Sequence, residues 1–299
     1  MRIALCNEVV RELSFERQCA FARAVGYDGL EIAPFTLGEE PHRLAPSRRS
    51  AIRAAAAAEG IAITSLHYLL LAPAGLSITA AAGAQHDRTI EVMRRLCDLA
   101  ADLGAGVLVH GSPAQRQLEV GKEAEGRQRA IAAFAAAAEA AGSAGVTYCI
   151  EPLAQTETGF VNTIAEAAAI VREVGHAALK TMLDCSAAAR AEPQAIPELL
   201  RHWLPSGLIA HVHCNDPNRR GPGEGSLAFA PILQALRTGA YRGMAAVEPF
   251  VYEPDGPACA ARAIGYLRGL QQGAPAQETP RPGPGDSLGE GVGGPQWAG

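Results

Sequence analysis

Eight short segments rich in apolar and β-branched residues recur along the chain, and longer stretches with helical periodicity lie between them. The segments are RIALCN (2–7), GLEIAPF (29–35), AITSLHYL (62–69), VLVHGSP (107–113), TYCIEPL (147–153), KTMLDC (180–185), IAHVHCN (209–215) and GMAAVEPF (243–250). FERQCAFARAVG, RRSAIRAAAAAEG, DRTIEVMRRLCDLAADLG, RQRAIAAFAAAAEAAG and TIAEAAAIVREVG carry apolar residues at helical spacing. Gly26, Gly60, Gly104 and Gly175 end such stretches, where a helix needs a left-handed cap. Strict alternation of strand and helix implies parallel pairing through right-handed crossovers, and eight units close a (β/α)8 barrel. An open doubly wound sheet usually carries a glycine fingerprint after its first strand. Here that turn reads CNEVVRELS and has none.

With 299 residues the chain can enclose one barrel of about 250 residues, placed at 1–272, and leave a tail. Residues 273–299, GAPAQETPRPGPGDSLGEGVGGPQWAG, are rich in Gly and Pro and almost free of aliphatic side chains, so they are expected to be disordered. A net charge of −5 gives no basic footprint for nucleic acid or an anionic membrane. No run approaches the roughly 18 apolar residues of a membrane span, and the apolar part of MRIALCNEVVRELSF is too short for a signal peptide. The chain therefore reads as cytoplasmic. Its seven cysteines are scattered and never paired as CxxC, which points to buried free thiols rather than disulfides or a zinc finger.

A barrel of this kind places its chemistry at the C-terminal ends of its strands. Those ends carry Asn7 and Glu8, Glu31, His67, His110 with Ser112, Glu151, Asp184, the pair His211 and His213 with Asn215, and Glu248. Glu151, Asp184, one strand-seven histidine and Glu248 come from four successive strands and would ring one quadrant of the mouth. Three carboxylates and one imidazole suit a divalent ion that prefers oxygen and tolerates one nitrogen: Mn²⁺, Co²⁺ or Mg²⁺. His211 and His213 face the same side of their strand, and His213, nearer the exit, is the one expected to reach the mouth. His211 reads as a core histidine hydrogen-bonded within the barrel.

CIEPL, MLDCS, HVHCNDPNRRGPGEG and VEPF together resemble the sugar isomerase and epimerase superfamily of xylose isomerase-like TIM barrels, and within it the ketose 3-epimerases of the tagatose/psicose type. The resemblance runs to about residue 272. It implies an isomerase with one divalent ion, usually manganese or cobalt, held by Glu151, Asp184, His213 and Glu248. Glu151 and Glu248 would act as catalytic acid and base, one removing and the other returning a proton next to the carbonyl of a keto-sugar. It also implies that Glu157 and Arg219 bind substrate, a small sugar or keto-polyol, and that the barrels assemble as homodimers or homotetramers. One position departs from the pattern: the substrate-contacting histidine three residues after the metal aspartate is Ala187 here. His67 and His110 are the candidates to supply a substitute donor, and each reads equally as a satisfied barrel histidine.

Four other readings are open on the same residues. A keto-inositol dehydratase or lyase and a hydroxypyruvate-type isomerase would use the same metal set. A noncatalytic sugar-binding barrel would be expected to have lost a ligand, and all four are present. An apurinic endonuclease of the related barrel class would call for more histidines and a basic face than this acidic chain offers.

Overall fold

The computed structural model describes residues 1–273, so the tail expected from residue 273 on lies, but for Gly273, outside the described residues. Eight strands pair in sequence order as a closed parallel barrel: β1 (Ile3–Cys6), β2 (Gly29–Ile32), β3 (Ala62–Leu66), β4 (Val107–His110), β5 (Thr147–Ile150), β6 (Leu179–Asp184), β7 (Ile209–Cys214) and β8 (Ala245–Val247). Closure runs through Ile3 against Ala245 and Leu5 against Val247. Around the barrel lie α1 (Phe15–Val25), α2 (Pro46–Ala58), α3 (Ala84–Leu103), α4 (Glu123–Ala144), α5 (Ile164–Val174), α6 (Cys185–Ala191), α7 (Ile196–Trp203), α8 (Phe229–Thr238) and α9 (Gly256–Gln272).

Each strand coincides with one of the eight segments, but most stop short of the segment's end. Pro34, Pro113, Pro152 and Pro249 follow β2, β4, β5 and β8 by two residues or so. A proline offers no N–H to the ladder, so the chain turns there from sheet into the loops that form the mouth. The helices begin and end as their sequences dictate. Ser14, Thr163 and Asp255 cap α1, α5 and α9 through their side-chain oxygens, and the glycines at 26, 60, 104 and 175 all have positive φ.

Burial follows the same logic. α3 covers the barrel with Val92, Met93, Leu96, Cys97, Leu99 and Ala100. α4 buries mainly alanines around Phe134, and the small side chains let its backbone lie close to the strands. Inside the barrel, Val109, Cys149 and Met182 form a small apolar cluster. Two of these, Cys149 and Met182, lie two residues before Glu151 and Asp184, so by the two-residue pleat they floor the mouth. All seven cysteines are free and buried. No helix among the described residues is long and apolar enough to cross a membrane.

Candidate metal centre at the barrel mouth

Four exits bring their polar side chains to one point. Donor atoms of Glu151, Asp184, His213 and Glu248 all lie within 4.8 Å of one another, and all four residues are buried. His213 Nδ1 stands 2.9 Å from Glu248 Oε2, 3.3 Å from Glu151 Oε1 and 3.8 Å from Asp184 Oδ2. Despite these short approaches the nitrogen has no hydrogen bond of acceptable geometry. The opposite ring nitrogen, Nε2, is 3.0 Å from Glu31 Oε1. Glu31 thus backs the ring at Nε2 while Nδ1 faces three carboxylates, the arrangement of metal-bound histidines backed by a carboxylate.

The surrounding residues hold this arrangement rigidly. Glu31 is fully buried on β2 and also takes His211 Nε2 at 2.7 Å and the Ser65 hydroxyl at 2.8 Å. Burial alone would raise its carboxyl, but the charges and hydrogen bonds of His211 and His213 hold it well below the usual carboxylate range. His211 thus sits below the mouth as a hydrogen-bonded core histidine. Asp184 uses Oδ1 to cap α6 through the Ala187 N–H (2.6 Å), and its Oδ2 accepts from Asn215 Nδ2 at 2.7 Å. Asn215 in turn accepts the Ser186 N–H. Glu151 lies directly over Gly111, where a Cβ would overlap its carboxylate and push it from this position. Below it the fully buried Arg116 donates from Nη1 to the Glu151 carbonyl at 2.7 Å.

Electrostatics distinguishes the members of the set. Burial, and then the charges of Glu151 and Glu248, push the Asp184 carboxyl well up. Burial likewise raises Glu151, with repulsion from Glu248 adding to it. Burial works against Glu248 as well, but His213 and His67 outweigh it and hold the group low. Three acidic groups packed in a dry site with an orphaned imidazole nitrogen are what a divalent cation would relieve, and the three-oxygen, one-nitrogen donor set fits such an ion.

The other sequence-predicted residues separate. Glu157 and Arg219 both line the cleft above the four donors. Glu157 accepts from the Ala154 N–H and from Arg190. Arg219 has φ of 67° and lays its guanidinium over the Phe250 ring, 5.0 Å from the centroid, while its carbonyl accepts the Phe250 and Val251 N–H groups. Asp216 clamps the same loop by accepting the Ser226 and Leu227 N–H groups, and Gly225 is there because a Cβ would overlap that carboxylate. His67 and His110 do not reach the cleft. His67 is buried between Glu248 Oε1 (2.9 Å from Nδ1) and Glu8 Oε2 (3.0 Å from Nε2). His110 is buried against the Phe134 ring with Nδ1 at 2.8 Å from the Tyr148 hydroxyl. Neither supplies the donor missing at Ala187, because every approach to their rings is occupied by protein. Three cleft or near-cleft residues carried no sequence signal of their own: Tyr68, Arg116 and Arg190. All three lie just after strands or on the short elements that follow them, and the rule that such loops build the site was the available clue.

The xylose isomerase-like TIM barrel family matches residues 19–270. The chain belongs to that family. Among its relatives, a D-psicose 3-epimerase of Agrobacterium fabrum is 37% identical over 114 residues, 38% of each chain. Another D-psicose 3-epimerase, of Ruminiclostridium cellulolyticum, is 29% identical over 161 residues, 54% of each chain. The chain spans between 38% and 60% of the length of these curated relatives. The solved structure of an L-ribulose 3-epimerase superposes with a TM-score of 0.76 at 25% identity, covering 91% of this chain and 95% of that one.

Proposed function

We propose that the protein is a metal-dependent carbohydrate epimerase, an isomerase that inverts a carbon beside the carbonyl of a keto-sugar as the ketose 3-epimerases do. The observation that carries this reading is that Glu151 and Glu248 each bring a carboxylate oxygen within 3.3 Å of one buried histidine nitrogen, with Asp184 completing the set. The names of the relatives, D-psicose 3-epimerase and L-ribulose 3-epimerase, support it. In this reading Glu151, Asp184, His213 and Glu248 hold one divalent ion. A set of three carboxylates with one imidazole favours Mn²⁺ or Co²⁺ ahead of Mg²⁺. When bound, the ion supplies Lewis-acid stabilisation of the negative charge that develops at the ketone oxygen.

The remaining chemistry belongs to the side chains. Inversion needs a base on one face of the carbon and an acid on the other, and Glu151 and Glu248 each have a carboxylate oxygen to serve one face. Exchange of their roles runs the reaction in reverse. Arg116 and Gly111 fix Glu151, and His67 fixes Glu248, so neither carboxylate needs to reorganise during the step. Glu157 and Arg219, at the rim, bind and orient the rest of the sugar. The free, buried state of all seven cysteines supports a cytoplasmic enzyme.

The test is solvent-deuterium incorporation. Enzyme loaded with Mn²⁺ and incubated with a panel of ketoses in D₂O is expected to place deuterium on the carbon next to the ketone. Glu151→Gln and Glu248→Gln should each lower the rate by at least about 10³-fold, in line with loss of an essential proton-transfer group. A stoichiometrically loaded protein that exchanges no ketose proton, or that loses water from the substrate, would replace this reading with another chemistry of the same barrel.

A further inference from the structure

Two residues of α6 line the cleft, Ser186 and Arg190, whereas Ala187, where the resemblance implies an imidazole, is buried and does not. Four residues apart, they share one face of the helix. The Arg190 guanidinium is committed to protein, donating from Nη2 to Glu157 Oε2 at 3.0 Å and from Nε to the Ser186 carbonyl at 3.2 Å. The Ser186 hydroxyl is not. Ser186 is only 3% exposed, yet its side chain makes no hydrogen bond among the described residues. Ser143 in α4 and Thr89 in α3 turn their hydroxyls onto the carbonyl four residues back. Ser186 stands in the first turn of α6, where the residue four back, Met182, belongs to β6. Its partner must therefore come from the cleft.

The backbone of Ser186 is anchored on both sides. Its N–H donates to Asn215 Oδ1 at 2.8 Å, and its carbonyl accepts from Arg190. Asn215 is the residue whose Nδ2 donates to Asp184 Oδ2 at 2.7 Å and approaches Glu248 Oε2 at 3.4 Å. One amide side chain thus ties the serine to two members of the four-donor cluster, so the hydroxyl keeps a fixed place beside them.

We infer that Ser186 is a substrate-binding residue, its hydroxyl paired with a sugar hydroxyl on a carbon flanking the ketone and the carbon that is inverted. This rests on the proposed epimerase reading and adds to it the group that grips the substrate on the α6 side. A serine hydroxyl offers one donor and two acceptor lone pairs and turns about a single bond, so it meets a sugar hydroxyl whichever way that proton points. The tie through Asn215 to Asp184 and Glu248 sets this contact at the reacting end of the sugar, while Glu157 and Arg219 act at the rim. A substrate without that hydroxyl would leave Ser186 unpaired in a nearly closed site, and this turns one hydrogen bond into discrimination.

The experiment removes the contact from each side. D-Fructose, D-tagatose and L-ribulose are screened for deuterium exchange next to the ketone with Mn²⁺-loaded enzyme, and the fastest is compared with its 1-deoxy and 4-deoxy analogues. Ser186→Ala keeps both backbone bonds, so the fold is not at stake. It should lower kcat/KM for the parent ketose about tenfold, mainly through KM, as loss of one hydrogen bond made in both ground and transition states does. With one of the two analogues the same substitution should change kcat/KM by less than about twofold, because the partner is already missing. An equal loss with the parent and both analogues, or no loss with the parent, would overturn the inference and leave the epimerase reading intact. If no ketose exchanges deuterium, the epimerase reading fails. Calorimetry of the Mn²⁺-loaded protein with the same sugars then decides: binding that Ser186→Ala weakens for the parent but not for one deoxy analogue sustains the inference, and equal binding by both proteins, or none, overturns it.

Discussion

His67 and His110 occupy matching places, at the exits of the adjacent strands β3 and β4, and both are fully enclosed. Their environments are opposite. His67 has a carboxylate against each ring nitrogen, so that burial, which disfavours its charge, is outweighed by Glu8, Glu248 and their hydrogen bonds, and the ring is held well above its ordinary pKa. His110 has a phenol on one side and a phenyl ring on the other. Burial, helped by the charge of Arg116, drives it down to about 3. The pair shows that a histidine at a barrel exit takes its role from the two or three atoms around its ring. One ring is tied electrostatically to Glu248 of the four-donor cluster, and the other is part of the packing beneath α4.

The largest expected effect breaks this pair at its charged member. His67→Leu leaves Glu8 and Glu248 facing one another without a cation in a buried site, and removing one partner of a buried ion pair typically costs about 3–5 kcal/mol. His110→Leu leaves only the Tyr148 hydroxyl without a partner, a loss of about 1–3 kcal/mol for an unsatisfied buried group. Urea unfolding of the metal-free proteins measures both. Equal losses would mean that the carboxylates around His67 contribute nothing to the distinction.

Acid and alkaline titration sharpens the comparison, because the two histidines act in different windows and with opposite sign. Between pH 6.5 and about 3 the folded chain keeps His110 neutral while the unfolded chain protonates it. The unfolded state then binds more protons, so the contribution of His110 is complete above pH 6.5 and declines as the pH falls, by up to about 1.4 kcal/mol per pH unit. His67 does the reverse. Its raised folded value means that its contribution is complete below about pH 6.5 and is lost as the pH rises toward that folded value. Subtracting the unfolding free energy of His110→Leu from that of the unmutated protein should give a curve falling on the acid side. The same subtraction with His67→Gln should give one falling on the alkaline side. Two curves sloping the same way would remove the distinction.

These environments also define what the sequence could reveal. Strand–helix alternation locates all eight strands, because the period of apolar residues and the prolines after the strands are local properties. Glu151, Asp184, His213 and Glu248 were legible as a set for a similar reason: consecutive strands of a barrel must be neighbours, so polar residues at their exits must converge. The pleat likewise separates His213 from His211. His67 and His110 were beyond such reasoning, since the side chains that decide their roles come from the exits of β1 and β8, from β5 and from α4, up to 181 residues away in sequence for Glu248. Arg116 and Arg190 were hidden by the same lack of local signal. An arginine on a loop or short helix reads as solvated until the fold shows it enclosed behind Glu151 or turned onto Glu157.

Tyr148→Phe is the smallest change that still tests the comparison. The Tyr148 hydroxyl is buried, and among the described residues its one hydrogen-bond partner is His110 Nδ1, at 2.8 Å. Removing it preserves the ring and its packing and leaves one imidazole nitrogen without its partner, a cost of about 1 kcal/mol, within the range for one neutral hydrogen bond. The acid-side decline of stability should survive this substitution. Burial is the leading cause of the low His110 value and the Arg116 charge the second, and the phenol changes neither. Denaturant unfolding of Tyr148→Phe at pH 7 and at pH 4 separates the two causes. A uniform loss at both pH values leaves burial in charge of His110. A loss that vanishes at pH 4 would mean that the hydrogen bond, and not the enclosure by β4, β5 and α4, keeps the imidazole neutral; His110 would then differ from His67 only in the partner its ring happens to meet.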